Sequence, residues 1–246
     1  MKNYLSIDQG TTSSRAIIFD SNLKLVRDSQ KEYDLSYPKD GWVELDPLDI
    51  IDTVTETVSS ILKENEEIEA CGITNQRETT IVWSKNTGKP IHSGIVWQDR
   101  RTHDLCDKLK SEGYEELISE KTGLILDPYF SATKIKWVLD NVDGARTMAE
   151  KGDLLFGTVD TYLIYMLSKE KNHFTDVTNA SRTLLFNIKT MDWDDELLEL
   201  FDIPKSMMPN VLACDDNFGT LSIKEHDIPI RGVIGDQQAA LVGQDC

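Results

Sequence analysis

Tyr4-Leu5-Ser6-Ile7-Asp8-Gln9-Gly10-Thr11-Thr12-Ser13-Ser14-Arg15-Ala16-Ile17-Ile18-Phe19 reads as two apolar strands joined by a turn of small polar residues. Gly10 in that turn permits backbone angles that a Cβ forbids. Peptide N–H groups can then close on an oxyanion, with the hydroxyls of Thr11, Thr12 and Ser13 as further donors. Asp8, at the end of the first strand, is placed to hold a water-coordinated Mg²⁺. An ordinary hairpin with a polar turn has the same composition, so this segment alone leaves both readings open.

Outward from the hairpin, Leu25 to Tyr33 reads as a third strand, and Trp42-Val43-Glu44-Leu45-Asp46-Pro47 leads into a helix over about Leu48 to Leu62. Ile68 to Thr74 and Thr79 to Ser84 read as apolar strands, and Asn86-Thr87-Gly88 turns the chain into another, Ile91 to Trp97. Apolar residues near i, i+3 and i+4 then predict helices at Arg101 to Leu109, Tyr114 to Lys121, Ser131 to Leu139 and Ala145 to Lys151, a helical insertion or layer. Leu154-Leu155-Phe156 is a short strand feeding a buried helix from Thr158 to Leu167, and Trp193 to Phe201 is a short helix closed by Pro204. Gly232-Val233-Ile234-Gly235 reads as a buried strand that delivers Asp236 to its carboxyl end, where a helix begins. Ligands of open α/β sheets sit at such ends. With no fixed-period repeat and no Pro- or Gly-rich linker, one domain is expected over residues 1–246.

A formal charge of −17 over 246 residues, with no block of Lys and Arg, argues against nucleic acid or anionic membranes as partners. A phosphate ligand therefore needs local capture, which screening permits because distant surface charge decays over roughly 8 Å at physiological salt. Cys71, Cys106, Cys214 and Cys246 lack the short spacings of a zinc site or redox pair and are expected as reduced thiols. His92, His103, His173 and His226 are isolated, which favours structural or solvated roles over metal ligation. No apolar run approaches the ~20 residues of a membrane span, and no secretory signal opens the chain, so a cytoplasmic address is expected.

A selective pocket for a small polyol needs a fixed donor fork beside a fixed carboxylate, and Arg77-Glu78 supplies both just after the strand that ends at Asn75-Gln76. A surface Arg–Glu pair on a loop has the same sequence and is worth little. Trp97 ends an apolar stretch where an indole face can cover the C–H side of a polyol; core packing is the alternative. Tyr129, before a helix, offers its phenol to a hydroxyl or is an ordinary helix-entry aromatic. Asp236 is the candidate general base for a hydroxyl attacking a phosphoryl group. An Asp between strand and helix is also a common N-cap.

Together these motifs resemble the FGGY carbohydrate kinase family, in its glycerol-phosphorylating branch. The likeness spans the chain: the Asp8–Arg15 hairpin, Gly41-Trp42-Val43-Glu44, Gly72 through Trp83, Ile95-Val96-Trp97-Gln98, Gly157-Thr158-Val159-Asp160-Thr161, Thr178-Asn179-Ala180-Ser181-Arg182-Thr183 and Gly235 through Ala240. It implies an α/β domain of the actin-like, ribonuclease H-like kind, with a central mixed sheet (antiparallel strands 1 to 3) flanked by helices and a helical insertion. It also implies ATP-dependent transfer of the γ-phosphoryl group to glycerol, giving sn-glycerol 3-phosphate. Carried over by position, phosphate contacts fall on Thr11, Thr12, Ser13 and Arg15, magnesium near Asp8, and glycerol contacts on Arg77, Glu78, Trp97, Tyr129, Asp236 and Gln237, with Asp236 as base.

The family's kinases run to about twice this length, so the resemblance implies an N-terminal polyol-binding lobe without the lobe that holds most of the ATP site. Such a lobe is expected to be inactive alone and homo-oligomeric within a full-length protein. Leu221 to Pro229 lacks the longer Gly- and Arg-bearing loop of relatives inhibited by fructose 1,6-bisphosphate, so that inhibition is not expected, and His226 is expected as a solvated loop residue. A kinase of another polyol or sugar, or a non-enzymatic actin-like nucleotide module, are the competing functions.

Overall fold

The computed structural model describes residues 2–245. The expected Cys246 thiol lies outside the described residues; Cys71, Cys106 and Cys214 are free. The opening hairpin forms from Asn3–Gln9 and Ser13–Asp20, and Leu25–Glu32 adds a third antiparallel strand, as expected. Alternation along Ser13–Asp20 buries Ser14, Ala16 and Ile18 under the helix Pro47–Ile61. That helix starts where its sequence says it should, with Asp46 accepting from the Leu48 N–H and Pro47 in its first turn. Its stripe Ile50, Val54, Val58 and Ile61 is buried, each residue contributing about 1.5–3 kcal/mol.

Strand Ile68–Asn75 pairs parallel to Asn3–Gln9, and His226–Gly235 pairs parallel to Ile68–Asn75 on its other side. Gly219–Ile223 closes that edge antiparallel, so the sheet is mixed. The sheet and the helices Pro47–Ile61 and Val159–Leu167 enclose one core, around Ile7, Ile18, Ile73, Tyr162 and Val233. The helical insertion, with helices His103–Ser111, Glu115–Thr122, Ser131–Asn141 and Ala145–Glu150, builds a second around Ile118, Ile135, Phe156, Phe186 and Phe201. Between them lies the antiparallel pair Ile81–Ser84 and Leu154–Gly157. Ile81 and Trp83 face the first core and Val82 the second.

Three expectations are corrected. The strand over Ile91 to Trp97 shrinks to Gly94–Ile95, which pairs with Glu44–Leu45. The helix over Trp193 to Phe201 begins only at Asp195, because Asp194 caps it by accepting from the Glu196 and Leu197 N–H groups and Trp193 belongs to a strand. The loop over Leu221 to Pro229 is a tight hairpin whose turn is Lys224-Glu225, with Lys224 at φ +53°. His226 pairs with Ile223 and is buried at 8% exposure, not solvated. Pro229 and the charges around it argue against a strand, but they pair only with Gly219–Ile223, and the ladder to Ile68–Asn75 begins after them, at Ile230.

Candidate functional site

Gln9, Asn75 and Gly235 are aligned in register at the carboxyl ends of the three parallel strands. The segments that leave those ends turn toward one another. With side chains from the insertion they enclose a cavity of about 100 Å³ lined by Thr11, Arg77, Glu78, Trp97, Tyr129, Asp236 and Gln237. All six expected polyol contacts therefore meet, together with one residue of the expected anion loop. A larger concavity of about 980 Å³ opens at the opposite, amino-terminal end of the same strands, where Glu66, Glu67, Glu69 and Asp227 make it acidic. The small cavity is the candidate site because donors, acceptors and aromatic faces converge there.

Arg77 is 4% exposed; its Nε donates to Asp236 Oδ1 at 3.2 Å and its Nη1 to Gln238 Oε1 at 3.2 Å. It reaches them across Gly235, where a Cβ would sit 2.5 Å from Arg77 Cδ, so glycine is a steric requirement at that position. Asp236 is the first helical residue and Gly235 occupies the cap, which sets aside the N-cap alternative. Asp236 Oδ1 also accepts from the Gln237 N–H at 2.7 Å, while among the described residues Oδ2 takes no hydrogen bond.

Glu78 is 1% exposed and holds φ +61°, a left-handed conformation that a side chain adopts only at a cost of about 1–3 kcal/mol. That twist follows the strand end and lets Arg77 and Glu78, neighbours in sequence, face one cavity. Arg182 Nε donates to Glu78 Oε1 at 2.6 Å. Burial is the largest influence on the Glu78 carboxyl and raises its pKa, outweighing Arg182. The surface-pair alternative does not hold for residues this enclosed.

Trp97 Nε1 donates to Thr11 Oγ1 at 3.0 Å, tying the indole to the first loop. Tyr129 meets it edge to face at 5.5 Å between ring centroids, and the two rings form the apolar wall. Lys134, fully buried, donates from Nζ to the carbonyls of Tyr129 at 2.5 Å and Phe130 at 3.2 Å; burial pushes its pKa down to about 7.

The anion loop is built differently from its expectation. Gly10 does not adopt a positive φ. Its carbonyl is instead a node, accepting from Gln9 Nε2, Gln76 Nε2 and the Tyr33 hydroxyl at 2.7, 3.1 and 2.6 Å. The glycine carries a polar network rather than a left-handed turn. Thr12 is exposed, Ser13 Oγ accepts from Gln30 Nε2 at 3.0 Å, and Arg15 pairs with Asp28 at 2.6 Å on the neighbouring strand. These three do not line the cavity. Asp8 lies beside them at the surface; partial desolvation and then the Asp236 charge raise its pKa. Asp8 has the donor chemistry of a Mg²⁺ ligand, since Mg²⁺ is usually held by one or two carboxylates plus phosphate oxygens. Among the described residues no cluster of three or more His, Cys, Asp or Glu forms a complete metal cage.

Sequence reasoning passed over Arg182, Gln238 and Lys134. Arg182 and Gln238 lie within the quoted motifs, and an arginine closing Asn179-Ala180-Ser181 was the available signal for the first. Nothing in the sequence pairs Lys134 with carbonyls five and four residues before it.

The FGGY family of carbohydrate kinases, N-terminal domain, matches residues 3–243. A glycerol kinase of Brevibacillus brevis is 55% identical over all of this chain and half of its own length. A second, glycerol kinase 2 of Thermotoga maritima, is 55% identical over all of this chain and 51% of its own. The crystal structure of Plasmodium falciparum glycerol kinase with ADP superposes with a TM-score of 0.94 at 37% identity, covering the whole chain and 50% of that structure, and bears out the expected actin-like α/β fold. The chain spans about half the length of the curated relatives it matches.

Proposed function

Because this chain belongs to the FGGY family of carbohydrate kinases, we propose that residues 1–246 are the polyol-binding domain of a glycerol kinase, which transfers the γ-phosphoryl group of ATP to glycerol. The observation that carries this reading is the convergence of Arg77, Glu78 and Asp236 on one cavity of about 100 Å³. A donor fork, two carboxylates and two aromatic faces around so small a space suit a ligand of a few carbons bearing several hydroxyls.

Arg77 and Glu78 fix substrate hydroxyls through charge-assisted hydrogen bonds, each worth about 1.5–3 kcal/mol. The Trp97 and Tyr129 rings cover the carbon chain. Arg77 and the Gln237 N–H hold Oδ1 of Asp236, so Oδ2 is left to receive the proton of the attacking hydroxyl. Thr11 shares the cavity and hydrogen-bonds Trp97, which sets the anion loop against the polyol. Thr12, Ser13 and Arg15 remain proposed phosphate contacts on that loop, and Arg15 must leave or share Asp28 to serve. Magnesium, held near Asp8, supplies neutralisation of charge on the phosphates when bound.

Relatives of this chain carry a further half that it does not match, so these residues alone are expected to bind glycerol without turning it over. The reading includes a cytoplasmic, homo-oligomeric protein; among the described residues no helix is long and apolar enough to cross a membrane.

Asp236→Asn in the full-length protein tests the reading. Steady-state assays should show a turnover lower by ~10²-fold or more with glycerol affinity nearly kept. Unchanged turnover removes Asp236 as base, and preference for a five-carbon ketose over glycerol in calorimetry removes the substrate.

A further inference from the structure

The turn 176–182 touches two sides of the cavity without lining it. Thr178 Oγ1 accepts from the Gly235 N–H at 2.8 Å, and its proton goes to Asp176 Oδ2 at 2.6 Å. The direction is fixed by chemistry: an amide N–H can only donate, so the hydroxyl must accept there and spend its own proton on the carboxylate. Asp176 is itself held, accepting from the N–H groups of Thr178 and Asn179 at 2.9 and 3.1 Å and from Asn179 Nδ2 at 2.7 Å. Asn179 and Asn75 exchange a reciprocal pair of amide hydrogen bonds at 2.9 and 3.1 Å, which pins the turn to the end of strand Ile68–Asn75. At the far end of the turn Arg182 meets Glu78.

Gly235 immediately precedes Asp236, so whatever fixes its peptide fixes where the Asp236 carboxylate starts. The sheet register aligns Gly235 with Asn75, and the Thr178 hydroxyl supplies the partner for its N–H at the strand terminus. We infer that the turn 176–182 is a positioning clamp, in which Thr178, anchored by Asp176, sets the Asp236 carboxylate through Gly235 while Arg182 sets Glu78. The catalytic consequence rests on the proposed kinase reading; the structural one does not. A base displaced by about 1 Å loses on the order of 10²-fold in rate, whereas substrate contacts made by Arg77 and Glu78 are left in place.

Thr178→Val and Thr178→Ser in the full-length protein test this, read by glycerol kinetics and by hydrogen exchange at the Gly235 amide. The valine keeps the shape and loses the hydroxyl; the serine restores it. Expected for Thr178→Val is a kcat lower by roughly 10- to 100-fold with KM for glycerol within about threefold, and Gly235 exchange faster by about tenfold or more. Thr178→Ser should return both toward wild type, a rescue that general destabilisation would not give. Unchanged Gly235 exchange in the valine variant overturns the clamp, as does a serine variant impaired as much as the valine one. If the wild-type protein phosphorylates no glycerol, the kinase reading fails, and the exchange experiment still decides the clamp.

Discussion

Gly235 and Glu78 show how single residues set the site. Arg77 reaches Asp236 only by passing over a residue without a side chain, since a Cβ at position 235 would lie 2.5 Å from Arg77 Cδ and 2.9 Å from Cγ. Those are mid-chain atoms, so the guanidinium cannot simply swing aside and keep both Asp236 and Gln238. Gly235→Ala is therefore expected to displace Arg77, raising KM for glycerol by about tenfold or more, the loss of one charge-assisted hydrogen bond. Steady-state kinetics checks it, and an unaltered KM would show that Arg77 has room to spare. The left-handed backbone at Glu78 is the complementary device. Without it, consecutive residues would point to opposite faces, and the fork and the carboxylate could not share a ligand. The sequence carries Arg77 and Glu78 plainly; it does not carry the positive φ, because nothing about a glutamate announces one.

At the scale of elements, the strands and helices with strong period-2 or amphipathic patterns could be read directly, as Asn3–Gln9, Pro47–Ile61 and Ser131–Asn141 illustrate. Of the hairpin Gly219–Gly235 only the end at Gly232–Gly235 could, because Pro229 and a run of charges hide the inward alternation of Leu221, Ile223, Ile228 and Ile230. Long-range polar contacts were equally hidden, since Asn75–Asn179 and Glu78–Arg182 join residues far apart in sequence. Helix Val159–Leu167 shows a cost that sequence does not display. Its Asp160 is fully buried, accepts from the hydroxyls of Thr158 and Thr175, and has its pKa pushed up to about 7 by burial, with the charge of Asp176 adding to it. In the unfolded chain the same carboxyl has its ordinary value of 3.8. Between those values the folded protein holds a proton that the unfolded chain releases, so this group's contribution to stability falls as pH rises from about 4 to about 7 and is constant above. Asp160→Asn removes that dependence. The melting temperature of the variant relative to wild type should climb through this window and level off above it; a difference independent of pH would place the buried proton elsewhere.

On the scale of the molecule, the cavity lies on the seam between the two hydrophobic cores. Trp97 packs against the sheet core and Tyr129 against the core of the insertion, while Asp236 follows a strand of the first and Arg182 a turn of the second. A ligand held by Trp97, Tyr129 and Asp236 ties the two cores together and binds the folded state alone. At a hundredfold excess over its dissociation constant such a ligand adds about 2.7 kcal/mol. In a chain of this size each kcal/mol is worth roughly 2–4 °C, so glycerol should raise the melting temperature by about 5–11 °C. Polyols also stabilise proteins without binding, by exclusion from the surface, and the control must separate the two effects. Sorbitol at the same concentration shares the exclusion and carries twice the carbon chain that the proposed reading places between Arg77, Glu78 and Asp236. Glu78→Gln keeps the shape of the site and removes the charge paired with Arg182. The glycerol-specific shift is therefore expected in the wild-type chain, absent with sorbitol and largely lost in the variant. Equal shifts in all three would mean that the convergence of Arg77, Glu78 and Asp236 does not create a polyol site.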